Sequence, residues 1–260
     1  TGRKLLGMKN PYFFAILQQP EPMMNALAEF LKARNTRTAA LIHVDELFGL
    51  EQAGALEAAF KEKGIQIVEK KSYPLGVKDL KPVLNDIKAK NPDAFVALSY
   101  PPDTFLVTAQ AREIAFNPKA FYASVGTAFP VYRDKLGPTV EGVMGLGTLN
   151  PKSSPAAKAY FAAHKARHNK EPDRWASAHA WAGLQVMEQA VAKVGLERKA
   201  LRDAIASGEF DTVIGKVRFK NGENVATPGV VSQWQSGEFE VVWPPDRATS
   251  PALHPKPNWK

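Results

Sequence analysis

The stretch Asp93-Ala94-Phe95-Val96-Ala97-Leu98-Ser99-Tyr100-Pro101-Pro102-Asp103 sets the reading of the whole chain. Residues 94–98 have the length and near-continuous apolarity of a strand buried on both faces, the pattern of parallel strands in α/β sheets. Pro101 and Pro102 cannot extend a ladder, and Asp103 is placed to cap the helix that follows. Ser99, Tyr100 and Asp103 therefore fall at the carboxyl end of a strand, where open α/β sheets bind ligands.

Working upstream, Leu80, Val83, Leu84 and Ile87 lie on one face of a helix capped by Asp79 and stopped by Asn91-Pro92. Residues 65–70 read as a short strand. Before it, Ala53, Leu56, Ala59 and Phe60 stripe a helix that closes on Gly64 in the left-handed conformation. Residues 39–44 form a strand that runs into Asp45-Glu46 and Leu47-Phe48-Gly49. Downstream, Asn117-Pro118 breaks the chain, and residues 120–125 and 141–148 make two more strands. The result is an uninterrupted β-α-β-α pattern from 39 to 148, which right-handed crossovers turn into a doubly wound parallel sheet. The common five-strand order 2-1-3-4-5 puts the switch point between the strands at 39–44 and 94–99. Loops 43–48 and 99–103 converge there, with 125–129 beside them.

The flanks read differently. Residues 9–17 are apolar, aromatic-rich and extended, and a helix carrying Met23, Leu27, Phe30 and Leu31 follows, closed by Arg34-Asn35. After the joint at 150–155, Ser154 and Pro155 open one helix, Asp173 caps a long Ala-rich one ending at Gly195, and 199–207 make a third. Residues 212–219 read as a single strand, then come an Asn221-Gly222 turn and a hairpin of 230–234 and 239–243 across Ser236-Gly237. The proline-rich tail from Pro244 reads as laid over a surface or frayed. This second half offers more helix than its own strands can cover.

Composition narrows the function. The 260 residues carry a net charge of +8 with Lys and Arg dispersed, a solvated surface that does not predict nucleic-acid binding. The absence of Cys removes disulfides, thiolate metal sites and cysteine nucleophiles. No apolar run has the length of a bilayer span. The chain opens at Thr1-Gly2-Arg3 and reads as a processed form or a fragment. His164 and His168 stand at i, i+4 without a Glu after the first, among cations, so a solvated face is expected rather than a metal. Gly142, Gly145 and Gly147 do not make a dinucleotide fingerprint. His43, Asp45 and Ser99 could form a triad at the switch point, but no nucleophile elbow supports a hydrolase. The reading is of a non-enzymatic protein without cofactor or metal.

Several motifs recur in a telling order: Tyr12-Phe13-Phe14, Ala40-Leu41-Ile42-His43-Val44 with Phe48-Gly49, Pro92-Asp93-Ala94-Phe95, Glu141-Gly142-Val143, Asp211-Thr212-Val213-Ile214-Gly215 and Gln233-Trp234. From about Tyr12 to Trp243 the chain resembles the branched-chain-amino-acid group of type I periplasmic solute-binding proteins that serve ABC importers. The resemblance implies an α/β fold of two lobes, each a doubly wound parallel sheet, joined by three hinge crossings near 14–17, 148–150 and 225–229. Residues 1–17 would be a hinge segment from the first lobe, 18–148 the second lobe, 149–224 the rest of the first, and 225–260 a hinge, the second-lobe hairpin and the tail. The opening units of the first lobe would be missing, on the order of a hundred residues at roughly thirty per βαβ unit.

The resemblance also implies a small-molecule ligand, a membrane permease as partner, a monomer, and a periplasmic or membrane-tethered location. It puts a ligand-facing aromatic residue at Tyr100. An acidic residue after the fourth strand holds the ligand ammonium in branched-chain amino-acid binders, and here that loop reads Ser124-Val125-Gly126-Thr127. An unpartnered buried ammonium would cost several kcal/mol, so an aromatic or aliphatic carboxylate, or a small amide, is expected in place of leucine. The expected site is Tyr100 as aromatic wall, Phe48 as apolar edge, Val125, the backbone and hydroxyl of Gly126 and Thr127, Asp103, and Gln18 on the hinge side. A ligand-sensing receptor module of the same fold is the alternative.

Overall fold

The computed structural model describes residues 2–259 of the chain. In chain order its elements are α1 (Arg3–Gly7), α2 (Pro20–Ala33), β1 (Thr38–Val44), α3 (Leu47–Lys63), β2 (Gln66–Tyr73), α4 (Lys81–Ala89), β3 (Ala94–Leu98), α5 (Pro101–Glu113), β4 (Ala120–Ala123), α6 (Pro130–Leu136) and β5 (Met144–Leu146). Then follow α7 (Pro155–His168), α8 (Ala176–Val194), α9 (Arg198–Ser207), β6 (Glu209–Thr212), β7 (Gly215–Lys220), β8 (Glu223–Asn224), β9 (Val231–Gln235) and β10 (Glu238–Trp243).

Seven strands form one sheet in the order β10-β9-β5-β4-β3-β1-β2. β1 to β5 are parallel in the expected 2-1-3-4-5 arrangement, and the late hairpin β9–β10 adds antiparallel to β5. All five residues of β3 are buried because both faces are covered. Ala94, Val96 and Leu98 pack with α2 and α3, while Phe95 and Ala97 pack with α4 and α5. Phe95, Val96 and Leu98, the larger of these, each contribute about 1.5–3 kcal/mol when taken from water.

Recurring motifs have local causes. Asp93 accepts hydrogen bonds from the N–H groups of Arg37 and Thr38 at 3.0 and 3.1 Å and pairs with Lys119 at 2.7 Å, which ties the starts of β1 and β3. Gln233 donates to the carbonyls of Gly142 and Leu253, and Trp234 is fully buried with its indole N–H on the Thr127 carbonyl at 3.0 Å.

Several boundaries differ from the sequence reading. α5 starts at Pro101 with Tyr100 as its N-cap, so Asp103 lies in the first turn and is not the cap; a proline at N1 gives up no hydrogen bond and favours the earlier start. Asp79 sits one residue outside the α4 cap and accepts from the N–H of Lys81. The strand expected at 65–70 runs on to Tyr73, paired with Val44. The strand at 120–125 ends at Ala123, because Ser124 turns to φ 27° and Val125–Ala128 form a 3-10 helix. The strand at 141–148 shortens to Met144–Leu146. Residues 9–17 are not one extended run: α1 ends just before them, and Ala15 alone makes a bridge, to Glu223.

The single strand read at 212–219 is a hairpin. Thr212 donates its hydroxyl to the Gly215 carbonyl at 2.7 Å, and Gly215 adopts φ 97°, so the chain reverses between β6 and β7. β6, β7 and β8 make a small antiparallel sheet. It shares a core of Leu149, Phe161, Ala182, Val186, Phe210 and Phe219 with α7 and α8. On its other face α8 leaves Trp181, Leu184 and Met187 exposed, and Trp181 and Leu184 line a groove of about 680 Å³ with Ala159 and Ala163 of α7.

Candidate functional site

The carboxyl ends of β1, β3 and β4 meet at the switch point. Phe48 in the first turn of α3 stacks on Tyr100, with ring centroids 5.1 Å apart and planes 24° from parallel. Both rings remain partly accessible. Burial pushes the Tyr100 phenol up, with the charge of Glu46 adding to it. Beneath them Ser99 and Thr104 share a hydroxyl–hydroxyl bond of 2.7 Å.

The loop after β4 packs hard against α5. A Cβ on Gly126 would stand 2.5 Å from Thr104 and 2.9 Å from the Pro101 backbone, so only glycine permits this approach. Val125 is buried in the core under α2 and α3. Thr127 is fully buried, and its hydroxyl donates to the Ser124 carbonyl at 2.7 Å while its carbonyl accepts from Trp234. The Thr127 side chain thus holds the loop and has no hydroxyl proton to offer a ligand.

Asp103 is 3 % exposed, and its Oδ2 has no hydrogen-bond partner among the described residues. Burial pushes its carboxyl up, opposed by Lys78. The hydroxyl of Tyr73, at the end of β2, is likewise unpartnered, and burial followed by the Asp103 charge raises it strongly. Asp103 therefore answers to the β2 side of α5, apart from the stacked rings.

Three chain segments link the large sheet to the 149–224 region. Gln18 donates from Nε2 to the Pro228 carbonyl at 3.1 Å, and Asn224 bonds the backbone of Ala15 and Ile16. Arg3 forks onto Glu21 of α2 and Glu223 of β8. In the middle crossing, Thr148 donates its N–H to the Arg174 carbonyl, and Arg174 donates its own to the Ala128 carbonyl, both at 2.9 Å. This strap brings Trp175, just ahead of α8, against the apolar residues of both faces of the large sheet.

Sequence reasoning missed four residues here. Gln19 is fully buried with neither amide atom bonded, and the buried Ser124 and Thr148 hydroxyls lack partners among the described residues. Trp175 is the fourth. The polar pair Gln18-Gln19 ahead of Pro20 was the one available signal; the others depend on which strands end side by side. The imagined triad does not form, because the His43 ring faces the Val44 carbonyl at 3.1 Å and Ser99 bonds Thr104. His164 and His168 have ring centroids 4.6 Å apart on α7, and among the described residues no group of three or more His, Asp or Glu side chains could hold a metal ion. No helix among them is long and apolar enough to cross a membrane.

Comparison with known proteins finds relatives for most of the chain. A family model described as periplasmic binding protein matches residues 7–238. Leu/Ile/Val-binding protein homolog 7 from Brucella abortus is 26% identical over 224 residues, covering 81% of this chain and 56% of that protein; homolog 8 is 26% identical over 220 residues, covering 80% and 55%. The chain thus spans about half the length of the curated relatives it matches. Among solved structures, a leucine-binding protein from Thermotoga maritima superposes with a TM-score of 0.75 at 22% identity, covering 86% of this chain and 66% of that one. A solute-binding protein from R. palustris in complex with benzoate gives 0.79 at 16% identity, covering 95% and 68%. An ABC transporter substrate-binding protein from Desulfitobacterium hafniense in complex with Leu gives 0.77 at 19%, covering 93% and 70%. At these identities the structural likeness shows the fold alone.

Proposed function

The chain belongs to the periplasmic binding protein family, and from that premise we propose that it acts as the extracytoplasmic solute-binding component of an ABC importer, closing two lobes over a small ligand and presenting it to a membrane permease. Residues 18–148 and the hairpin within 225–260 form one lobe, and 149–224 with the hinge segment 1–17 belong to the other. The ligand bridges the lobes only in the closed state, so its binding shifts the open–closed equilibrium. No chemistry is asked of the site.

The observation that carries the ligand reading is Val125. It fills the loop after β4 with buried apolar surface, and residues 124–129 contain no carboxylate. An ammonium lodged there would lose its hydration without a counter-charge, at a cost of several kcal/mol. A small aromatic or aliphatic carboxylate is therefore favoured over leucine. Phe48 and Tyr100 supply the aromatic wall, Val125 an apolar floor, Gly126 and Thr127 the shape of the loop, and Gln18 the hinge-side contact. Asp103, buried on the β2 side of α5, stands outside this set.

A thermal-shift titration against benzoate and leucine tests this. Ligand at a hundredfold its Kd adds about 2.7 kcal/mol, worth several degrees. A shift with benzoate and none with leucine is expected; a shift with leucine alone sinks the assignment of Val125. Tyr100→Ala should weaken benzoate binding by tenfold or more with an intact melting transition, and unchanged affinity would take Tyr100 out of the site.

A further inference from the structure

We infer that Gln19, Ser124 and Thr148 form the neutral polar face of the ligand site and that this face takes a primary carboxamide. The inference rests on the proposed solute-binding reading and adds to it the chemistry at one end of the ligand.

The fold brings the three residues to one end and one face of the large sheet. Leu146 donates its N–H to the Ser124 carbonyl at 3.2 Å, and Leu146 is in register with Val231. Tyr122, Met144, Leu146 and Val231 all point into the core beneath α2 and α3. Strand alternation assigns Thr148, two residues past Leu146, to the same face, and the bond between the Leu146 N–H and the Ser124 carbonyl sets Ser124 beside it. Gln19 reaches that face from above. It is the N-cap of α2, whose first turn presses on the strand leading into β9, since a Cβ on Gly229 would stand 2.0 Å from the Pro22 carbonyl oxygen. Its neighbour Gln18 is bonded to Pro228 in that same strand.

All three side chains are buried and unpartnered. Gln19 is 0% exposed, Ser124 0% and Thr148 2%, and among the described residues neither amide atom of Gln19, nor Ser124 Oγ, nor Thr148 Oγ1 has a hydrogen-bond partner. Gln19 makes no capping bond to its helix either. Buried polar groups are ordinarily satisfied, and each left unmet costs about 1–3 kcal/mol. Ser124 also holds φ 27°, ψ −143°, a conformation L-residues avoid and one that concentrates at functional sites.

The donor set selects the ligand group. An ammonium needs a carboxylate and a carboxylate needs a cation, and this trio has neither. Gln19 lacks both an acceptor for Nε2 and a donor for Oε1. A primary carboxamide supplies both at once in a reciprocal two-bond pair, and its second N–H and second carbonyl lone pair fall to the two hydroxyls.

Isothermal titration of the full chain with benzoate, 3-carbamoylbenzoate and 4-carbamoylbenzoate tests the assignment. At least one carbamoyl acid should bind about tenfold tighter than benzoate, the value of one net buried hydrogen bond or slightly more. Gln19→Leu should erase that gain, so that the carbamoyl acids bind no tighter than benzoate does to the same variant. The same variant should melt higher than the parent without ligand, because an unpaired buried amide has been replaced by a hydrocarbon. No carbamoyl gain, a gain that survives Gln19→Leu, or a lower melting temperature in that variant each overturns the inference while benzoate binding still upholds the solute-binding reading. Failure of every probe overturns both.

Discussion

Two aspartates beyond opposite ends of β3 are held in opposite ways. Burial pushes the Asp93 carboxyl up, but Lys119 and the N–H groups of Arg37 and Thr38 outweigh it and hold the group at about 2. Its folded value lies below the unfolded one, so its stabilisation is present above about pH 4 and is lost as pH falls toward 2. Asp93→Asn should cost about 2 kcal/mol at pH 7 in chemical denaturation, and variant and parent should converge near pH 2. Asp103 is the reverse: burial raises its carboxyl, so its contribution is favourable below about pH 4 and is lost as pH rises through its folded value. Asp103→Asn should therefore stabilise the chain by about 1 kcal/mol at pH 7, an advantage that vanishes in acid. A loss of stability at pH 7 would mean that Asp103 has a partner in solution. The sequence announced Asp93 through its motif, yet it could not tell an anchored carboxylate from a stranded one, because the partners of Asp93 lie on β1 and beyond α5.

At the scale of elements, punctuation was legible and lengths were not. Pro101-Pro102 marked the end of β3 correctly, and Gly64 ended α3 in the left-handed conformation at φ 69°, but α5 already starts at Pro101 instead of after Asp103. The caps of α4 and α5 fall at Leu80 and Tyr100, one residue after Asp79 and three before Asp103, because a proline in the first turn favours a start just ahead of it. The hairpin β6–β7 was hidden because its turn, Val213-Ile214, is apolar: both residues are buried in the core of the smaller sheet, and burial overrides turn propensity. The 3-10 helix beside the site was equally silent, being fixed by the fit of Gly126 against α5. Gly126→Ala should cost about 1–3 kcal/mol through overpacking and push residues 125–128 away from Pro101. A change of under about 0.5 kcal/mol in denaturation midpoint stability would show that the loop gives way freely.

At the scale of the molecule, strand order could be read because right-handed crossovers leave few arrangements for five alternating β-α units. The positions of Gln19, Ser124 and Thr148 could not, since each comes from a different part of the chain and none belongs to a motif. The excess of helix in the second half was visible and has a physical counterpart in the exposed stripe Trp181, Leu184 and Met187 of α8. An apolar surface of this kind takes up hydrophobic dyes, so the native chain should enhance the fluorescence of anilinonaphthalene sulfonate. Leu184→Glu should diminish that signal with the melting temperature nearly unchanged, and an undiminished signal would place the dye elsewhere.

The late hairpin has a consequence for how the chain is made. β5 ends at Leu146, and the strand that pairs with its free edge, β9, begins only at Val231. During synthesis the main sheet must wait, with one edge unpaired, while α7, α8, α9 and the small sheet emerge. Contacts so distant in sequence slow folding, and an open edge is a template for pairing with other chains. A chain cut after Asn224 should form most of its helices yet aggregate at concentrations where the longer one stays dispersed. In living cells, the interval between those two strands is the span over which a chaperone would have most to guard.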